Sequence, residues 1–461
     1  MLYEFLDAQH NRIVVALRPD SVAVSVNAVP SYSFDLGGRL IGAFVAGRSY
    51  RRTLDNRVVE RRWHEPPDEA GPVRELPPAE ARAFLEQAYA AMADLRRTLD
   101  AGEWQPLPPL LAGEGRGGGP PLSATGEGTG CRTLATRNGG VRQPVSDGVG
   151  VARRAFDLIQ QQSPAGLAED ARRFRAVYKP IAILPPDQYR ALVLQATAGC
   201  AYNRCTFCHF YKDTKFHRKS LPEFRQHIQA VRDYFGPAMA LRRSIFLADA
   251  NALVIPQRPL LALLDAVHDA FAIAPADLAG GDLVAWRAAH PGGFDGLYSF
   301  VDAFTGRRKT QDDFIALRAR GLRRVYIGLE SGDDALLDFL GKAGSAADAL
   351  QLVATLQAAR VAVGVIVLLG VGGGRYNEQH VAHTIEAVNA MRLGSGDIVY
   401  FSEFVDWPGS EYAQRAAAAG IAPLSGEQVR AQRAAMQAGF VFPDATHPPK
   451  LALYDIRRFV Y

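Results

Sequence analysis

The chain has 461 residues, with 52 Lys and Arg against 48 Asp and Glu and a formal net charge of +4. That excess is too small for electrostatics alone to imply a nucleic-acid or membrane partner, although a local basic groove leaves nucleic acid open. The length allows two or more domains, or one barrel of roughly 250 residues with additions. There is no run of about 18 apolar residues, the minimum for a membrane-spanning helix. The N-terminal MLYEFLDAQHNR has acidic residues where a secretory signal needs a basic start and an apolar stretch. The expected location is the cytoplasm, where clustered cysteines point to metal binding or catalysis rather than disulfides.

Residues 1–104 form the first unit of the reading. Short alternating runs such as RIVVAL and SVAVSV, broken by Gly and Pro, predict a β-rich region. A helix over 78–99 follows, with Leu85, Ala88, Tyr89, Met92, Leu95 and Leu99 at helical spacing after Pro77–Pro78. Residues 105–153 have twelve Gly between Gly113 and Gly150 and no aromatic residue. Such a composition buries too little apolar surface to offset its ordering entropy, so it reads as a disordered linker or insertion. Cys131 inside it reads as incidental. Residues 154–184 are a connecting segment.

Beyond residue 180 apolar strands alternate with amphipathic helices. Strands are predicted at 191–197, 244–248, 296–301, 324–330, 361–370 and 397–405, several of them continuously apolar as buried parallel strands tend to be. One helix begins near Thr310, with Asp312 and Asp313 in its first turn, and stops at Gly321. Another has Ser345 as N-cap with Asp348 three residues on. Repeated βα units imply a parallel sheet, open or curved into a barrel, with ligands at the C-terminal ends of the strands.

Three of the four cysteines, Cys200, Cys205 and Cys208, lie together on the loop after the first of these strands, in GCAYNRCTFCHFYKDTKF. Thiolates at these spacings can wrap a compact iron–sulfur centre, and with three protein ligands one iron keeps an open position. A zinc site would add His209 or His217, but no second cysteine pair exists to close it. CTFCH also fits a c-type haem anchor, which belongs outside the cytoplasm, and a redox dithiol leaves Cys200 unexplained.

The run LQATAGCAYNRCTFCHFYKD resembles the cluster loop of radical S-adenosylmethionine (SAM) enzymes, in a variant with four residues between the first two cysteines. VYIGLESGDDALLDFLGKAGSAADALQLVATLQAARVAVGVIVLLGVGG is similar to the second half of their core. The resemblance spans 185–420, leaving 421–461 as a C-terminal extension. The fold it implies is an α/β partial parallel (β/α) barrel of radical SAM type, with an additional N-terminal α+β region. It implies a single [4Fe–4S] cluster on Cys200, Cys205 and Cys208, SAM on the fourth iron, and a 5′-deoxyadenosyl radical that takes hydrogen from an unknown substrate. An electron donor such as a flavodoxin or ferredoxin is implied as partner. The residues that would act directly on substrate are not identified.

The same resemblance implies cofactor contacts. Phe207 occupies the position of an aromatic beside adenine, with ordinary packing as its competing role. Asp249 and Asn251, in Ala248-Asp249-Ala250-Asn251, stand where the family often has Gly-Gly-Glu near the methionine amino group; a turn-forming Asp-x-Asn competes. Glu330 ends an apolar strand where a carboxylate can meet ribose or ammonium, against a helix cap. Gly370 and the following VGGG resemble a loop that lets backbone approach adenine or methionine. His209, Tyr211, Lys212, Lys215, His217 and Arg218 form a basic, aromatic-laced strip that reads first as solvated surface. PGSE (408–411) reads as a turn into a helix. The reading from a different class is a zinc-stabilised, non-catalytic RNA-binding module.

Overall fold

The structure is a computed structural model and describes residues 1–62, 73–107, 148–407, 409–458 and 461. Cys131 and most of the glycine-rich stretch, together with Pro408, lie outside the described residues. The chain divides into two compact units, one made of 1–177, 234–241 and 460–461, the other of 178–233 and 242–459.

The first unit is an antiparallel meander of nine strands: β1 (Leu2–Leu6), β2 (Arg12–Leu17), β3 (Ser21–Val26), β4 (Ser31–Asp35), β5 (Leu40–Val45), β6 (Arg48–Arg52), β7 (Val58–Arg62), β8 (Val73–Glu75) and β9 (Gln105–Pro106). Strands β1 to β8 pair in sequence order and β9 lies outside β1. Alternation sends Phe5, Ile13, Val15, Val22, Val24 and Phe34 to one face. There they meet α1 (Pro78–Asp100) and α2 (Gly148–Ile159), and α3 (Pro164–Val177) follows. Proline at the first helical position of α1 costs no hydrogen bond, because that N–H would be unsatisfied anyway. Beneath the sheet's central turn, the buried Arg39 forks onto Asp170, with Nε at 2.9 Å and Nη2 at 2.8 Å.

The second unit is a sheet of seven parallel strands in strict sequence order: β10 (Leu192–Gln195), β13 (Ile245–Ala248), β14 (Leu297–Phe300), β15 (Leu322–Glu330), β16 (Ala362–Leu369), β17 (Ile398–Glu403) and β18 (Lys450–Leu453). A two-stranded ribbon, β11 (Thr197–Ala198) with β12 (His217–Arg218), interrupts the first crossover. The helices are α4 (Leu221–Phe235), α5 (Gln257–Ala270), α6 (Gly280–Ala289), α7 (Ala303–Gly306), α8 (Gln311–Arg318), α9 (Asp334–Phe339), α10 (Ala346–Ala358), α11 (Gly373–Ala390), α12 (Glu411–Ala418) and α13 (Gly426–Gly439). This is the expected fold class, a partial parallel (β/α) barrel with an N-terminal antiparallel region. Thr310 with Asp313 and Ser345 with Asp348 form complete capping boxes on α8 and α10.

Two details show how sequence sets this sheet. Strand β16, AVGVIVLL, is buried along nearly its whole length, as a strand covered on both faces must be. Its Gly364 is dictated by the neighbouring strand: a Cβ there would lie 2.4 Å from the ring of the fully buried Tyr326. In the segment expected as a C-terminal extension, β18 supplies the seventh strand.

Candidate cofactor site

The cysteine loop leaves the sheet at the C-terminal end of β10 and is tied at both ends. The ribbon pairs Thr197 with Arg218 and Ala198 with His217. Gly199 then turns with φ +74°, and a Cβ there would come 2.8 Å from Thr214 O. Asn203, itself at φ +49°, donates from Nδ2 to Tyr211 O at 2.8 Å and from its N–H to Cys200 Sγ at 3.3 Å. The loop's middle is clamped to the turn after α9: Thr206 donates to Leu340 O from N–H and Oγ1, at 2.9 and 3.0 Å, and Tyr202 OH donates to Gly341 O at 3.0 Å.

Cys200, Cys205 and Cys208 are half-buried free thiols on this clamped loop. Burial raises the Cys205 pKa, with Lys342 opposing and Glu330 and Cys200 adding. Burial pushes Cys208 up to about 12, against an N–H bond at Phe210, and both other cysteines act on it. The thiols thus lie within electrostatic reach of one another, and a metal that binds them must displace their protons. Among the described residues no group of three or more His, Cys, Asp and Glu converges on a single metal ion. The histidines considered for zinc are engaged elsewhere: His209 packs on Trp407 with ring centroids 4.3 Å apart, and His217 lies 3.3 Å from Glu223.

Asp249 follows the end of β13 and is buried. Its Oδ2 accepts from Gly199 N–H at 3.4 Å, and its own N–H donates to Thr197 Oγ1 at 2.9 Å. Burial pushes its pKa up to about 7, against the Gly199 bond, the charge of Lys219 and a bond from Tyr211. Asn251, two residues on, donates from Nδ2 to Asp302 and to Thr305 Oγ1. Its buried Oδ1 has no hydrogen-bond partner, an open acceptor in a polar setting.

Glu330, the last residue of β15, holds φ +62°, a left-handed conformation that a non-glycine residue adopts at a cost. Its Oε1 accepts from Lys342 Nζ at 3.0 Å, with side chains only 11% and 14% exposed. Burial works to neutralise Lys342, but Glu330 and Cys205 outweigh it, and its pKa is raised. The next residues are bolted to α11. His380 Nε2 is 2.8 Å from Leu368 O and Nδ1 is 2.8 Å from Ser331 Oγ. Because a carbonyl only accepts, Nε2 carries the proton and Nδ1 accepts from the hydroxyl. Ser331 Oγ in turn accepts from Asp333 N–H at 2.9 Å.

Gly370 donates its N–H to Gln432 Oε1 at 2.7 Å with φ +79°. Gly373 is a close approach, where a Cβ would lie 2.1 Å from Ala422 O. Phe207, half-buried, packs against an apolar cluster that includes Leu336, Leu340, Leu368, Val371 and Tyr412. The structure therefore joins the cysteine loop directly to Asp249 and, through Lys342, to Glu330. Asn251 is bonded into the start of α7 and Gly370 to α13, at the same strand ends. Sequence reasoning passed over Lys342 and His380. The signal for Lys342 was a cation between Gly341 and Gly344 immediately after an apolar helix; His380 gave none.

No curated protein matches this chain. Solved structures similar to it include the radical S-adenosylmethionine methyltransferase TsrM from Kitasatospora setae, with cobalamin and a [4Fe-4S] cluster bound. That likeness has 18% identity, 53% of this chain, 44% of that chain and a TM-score of 0.35. Coproporphyrinogen III oxidase (HemN) from Escherichia coli matches at 14% identity over 54% of this chain and 50% of that one, with a TM-score of 0.36. Methylornithine synthase (PylB) matches at 12% over 57% and 72%, with a TM-score of 0.35. The chain thus spans about half the length of the first two. The Radical SAM superfamily profile matches residues 194–388, from the end of β10 to α11. That stretch, less than half of the chain, contains all three cysteines, Asp249, Glu330 and Lys342, and it is the part in which the chain is similar to the radical SAM superfamily.

Proposed function

We propose that the protein is a radical SAM enzyme in which Cys200, Cys205 and Cys208 hold a [4Fe–4S] cluster. The observation that carries this reading is three half-buried free thiols on one clamped loop at the strand ends, beside a buried cation–carboxylate pair, within the family-matched segment. When bound, the cluster and SAM supply one-electron cleavage of a sulfonium to a 5′-deoxyadenosyl radical for hydrogen abstraction.

The residues present fit such a group. Three thiols leave a position open to a cofactor, and the surroundings offer both signs of charge for its amino-acid end. Asp249, once ionised, accepts from an ammonium; Lys342 brings a positive charge next to Cys205 and opposes the burial that keeps its thiol protonated. Asn251 Oδ1 is a free acceptor for a cofactor hydroxyl or amine. Glu330 is held in place by Lys342, with Ser331 and His380 fixing the turn behind it. Phe207 and the backbone at Gly370 close the apolar side. Substrate and donor stay open in this proposal, the donor being of flavodoxin or ferredoxin type.

The test is anaerobic reconstitution. A brown protein that releases 5′-deoxyadenosine with dithionite and SAM is expected, and replacing all three cysteines with alanine should abolish release. A colourless, zinc-loaded preparation, or release by the triple variant, would overturn the reading.

A further inference from the structure

The glycine run after β16 is braced by a part of the chain that the family profile does not cover. That profile ends at residue 388, whereas Tyr412 stands on α12 and Gln432 on α13. From Gly370 to Gly374 four of five residues are glycine, the residue type that loses most backbone freedom when it is ordered. Such a stretch keeps one conformation only where groups outside it hold its N–H groups.

Three such partners come from α12, α13 and the turn between them. Gly370 N–H donates to Gln432 Oε1 at 2.7 Å, Gly372 N–H to Tyr412 OH at 2.9 Å, and Gly374 N–H to Ala422 O at 3.1 Å. Both side chains are buried, Gln432 at 3% exposure and Tyr412 at 5%. Gln432 is itself oriented, because its Nε2 donates to Asn377 Oδ1 on α11 at 2.8 Å and leaves Oε1 to face Gly370. Tyr412 also reaches the other loop of the site. Its backbone N–H donates to the carbonyl of Thr206, between Cys205 and Cys208, at 3.2 Å. One residue thus holds the cysteine loop with its backbone and the glycine loop with its hydroxyl. Its ring packs on Phe339 and Phe404, with centroids 5.9 and 4.6 Å apart, which keeps the hydroxyl in place.

Resting on the cluster reading above, we propose that Tyr412 and Gln432 are positioning residues for SAM binding: they fix the glycine loop in one conformation against the cysteine loop. A loop that is ordered before the cofactor arrives gives up less entropy when it binds. Both residues act through backbone N–H groups of the loop, so their loss shows in cofactor affinity before it shows in chemistry.

The experiment compares the full chain, reconstituted and unloaded, with Tyr412→Phe, Gln432→Leu and Asn389→Ala. Tyr412→Phe keeps the ring and removes only the acceptor. Asn389 holds the far end of α13 through Gly439 O and Val441 N–H, at 3.0 and 2.8 Å, and so serves as the control for general loosening. Equilibrium dialysis of the reconstituted proteins is expected to show SAM affinity roughly three- to tenfold lower in Tyr412→Phe and in Gln432→Leu, the worth of one hydrogen bond. Their KM for SAM in 5′-deoxyadenosine release rises more than kcat falls. In the unloaded protein, amide hydrogen exchange quickens at Gly372 in Tyr412→Phe and at Gly370 in Gln432→Leu. Asn389→Ala leaves SAM affinity and both exchange rates at the parent values. Parent affinity for SAM in Tyr412→Phe and Gln432→Leu would overturn the proposal. So would an equal loss in Asn389→Ala, which would mark α13 as general support. Should Gln432→Leu not fold, Tyr412→Phe decides alone. With a brown parent that binds SAM, either of those two results fails the positioning role only; a colourless parent that binds no SAM fails the cluster reading and this proposal with it.

Discussion

Lys342 Nζ lies 3.0 Å from Glu330 Oε1 across the mouth of the sheet, and the same cation acts on Cys205. The strained end of β15 and the cysteine loop therefore share one charge. A buried pair broken on one side leaves an uncompensated ion, costing about 3–5 kcal/mol. Lys342→Met is accordingly expected to lower unfolding stability by that order. Glu330→Gln in the same chain should restore part of it, with a coupling energy of roughly 0.5–3 kcal/mol. Denaturant unfolding of the two single variants and the double checks this, and strictly additive losses would show that the pair is not coupled.

Asp249 and His380 titrate with opposite consequences. Asp249 is raised to about 7 from an ordinary 3.8, so its burial favours the protonated folded state; that contribution is full below 3.8 and lost as pH rises through about 7. His380 is lowered to about 4 from 6.5, so its contribution is present above 6.5 and lost as pH falls through about 4. At 1.36 kcal/mol per pH unit each is worth roughly 3–4 kcal/mol, and over much of pH 4–6.5 they offset. Melting temperatures measured across pH 4–7.5 should show stability rising with pH in Asp249→Asn and falling with pH in His380→Gln. Parallel curves for the two variants would contradict the assignment.

In the first unit Asp170 receives the fork of Arg39, while Arg52 Nη2, also buried, lies 3.8 Å from it and has no hydrogen-bond partner. Asp170→Asn removes the carboxylate that the two buried guanidinium groups share, leaving Arg39 with Asp35 at 3.5 Å and Arg52 without a carboxylate partner, and is expected to cost about 3–5 kcal/mol. Arg52→Met removes a charge whose own pKa burial already lowers, and is expected to be close to neutral. Thermal unfolding of the two variants distinguishes them, and equal losses would refute the contrast.

The sequence made the central strands legible because β15, β16 and β17 are apolar runs between polar caps. Thr310 and Ser345 announced their helices through acidic partners three residues on. The predicted strand at 191–197 runs past the observed end of β10 at Gln195, because the chain leaves the sheet there to form the ribbon with β12, and apolar pattern carries no information about partners. Strand β18, KLAL, is short and half exposed, so it stood out from nothing around it. The cysteines stood out by their spacing, whereas Asp249 and Glu330 were singled out through the family resemblance and their places at strand ends. Lys342 and His380 were not, since their roles come from turns and helix packing that join segments far apart in the chain.

The β11–β12 ribbon has a bearing on how the loop tolerates change. Both ends are pinned by paired backbone, so the points where the loop leaves and rejoins the ribbon are fixed, and Asn203's left-handed turn lies between them. The path between the first two thiols is thus set inside the loop, apart from the paired backbone at its ends.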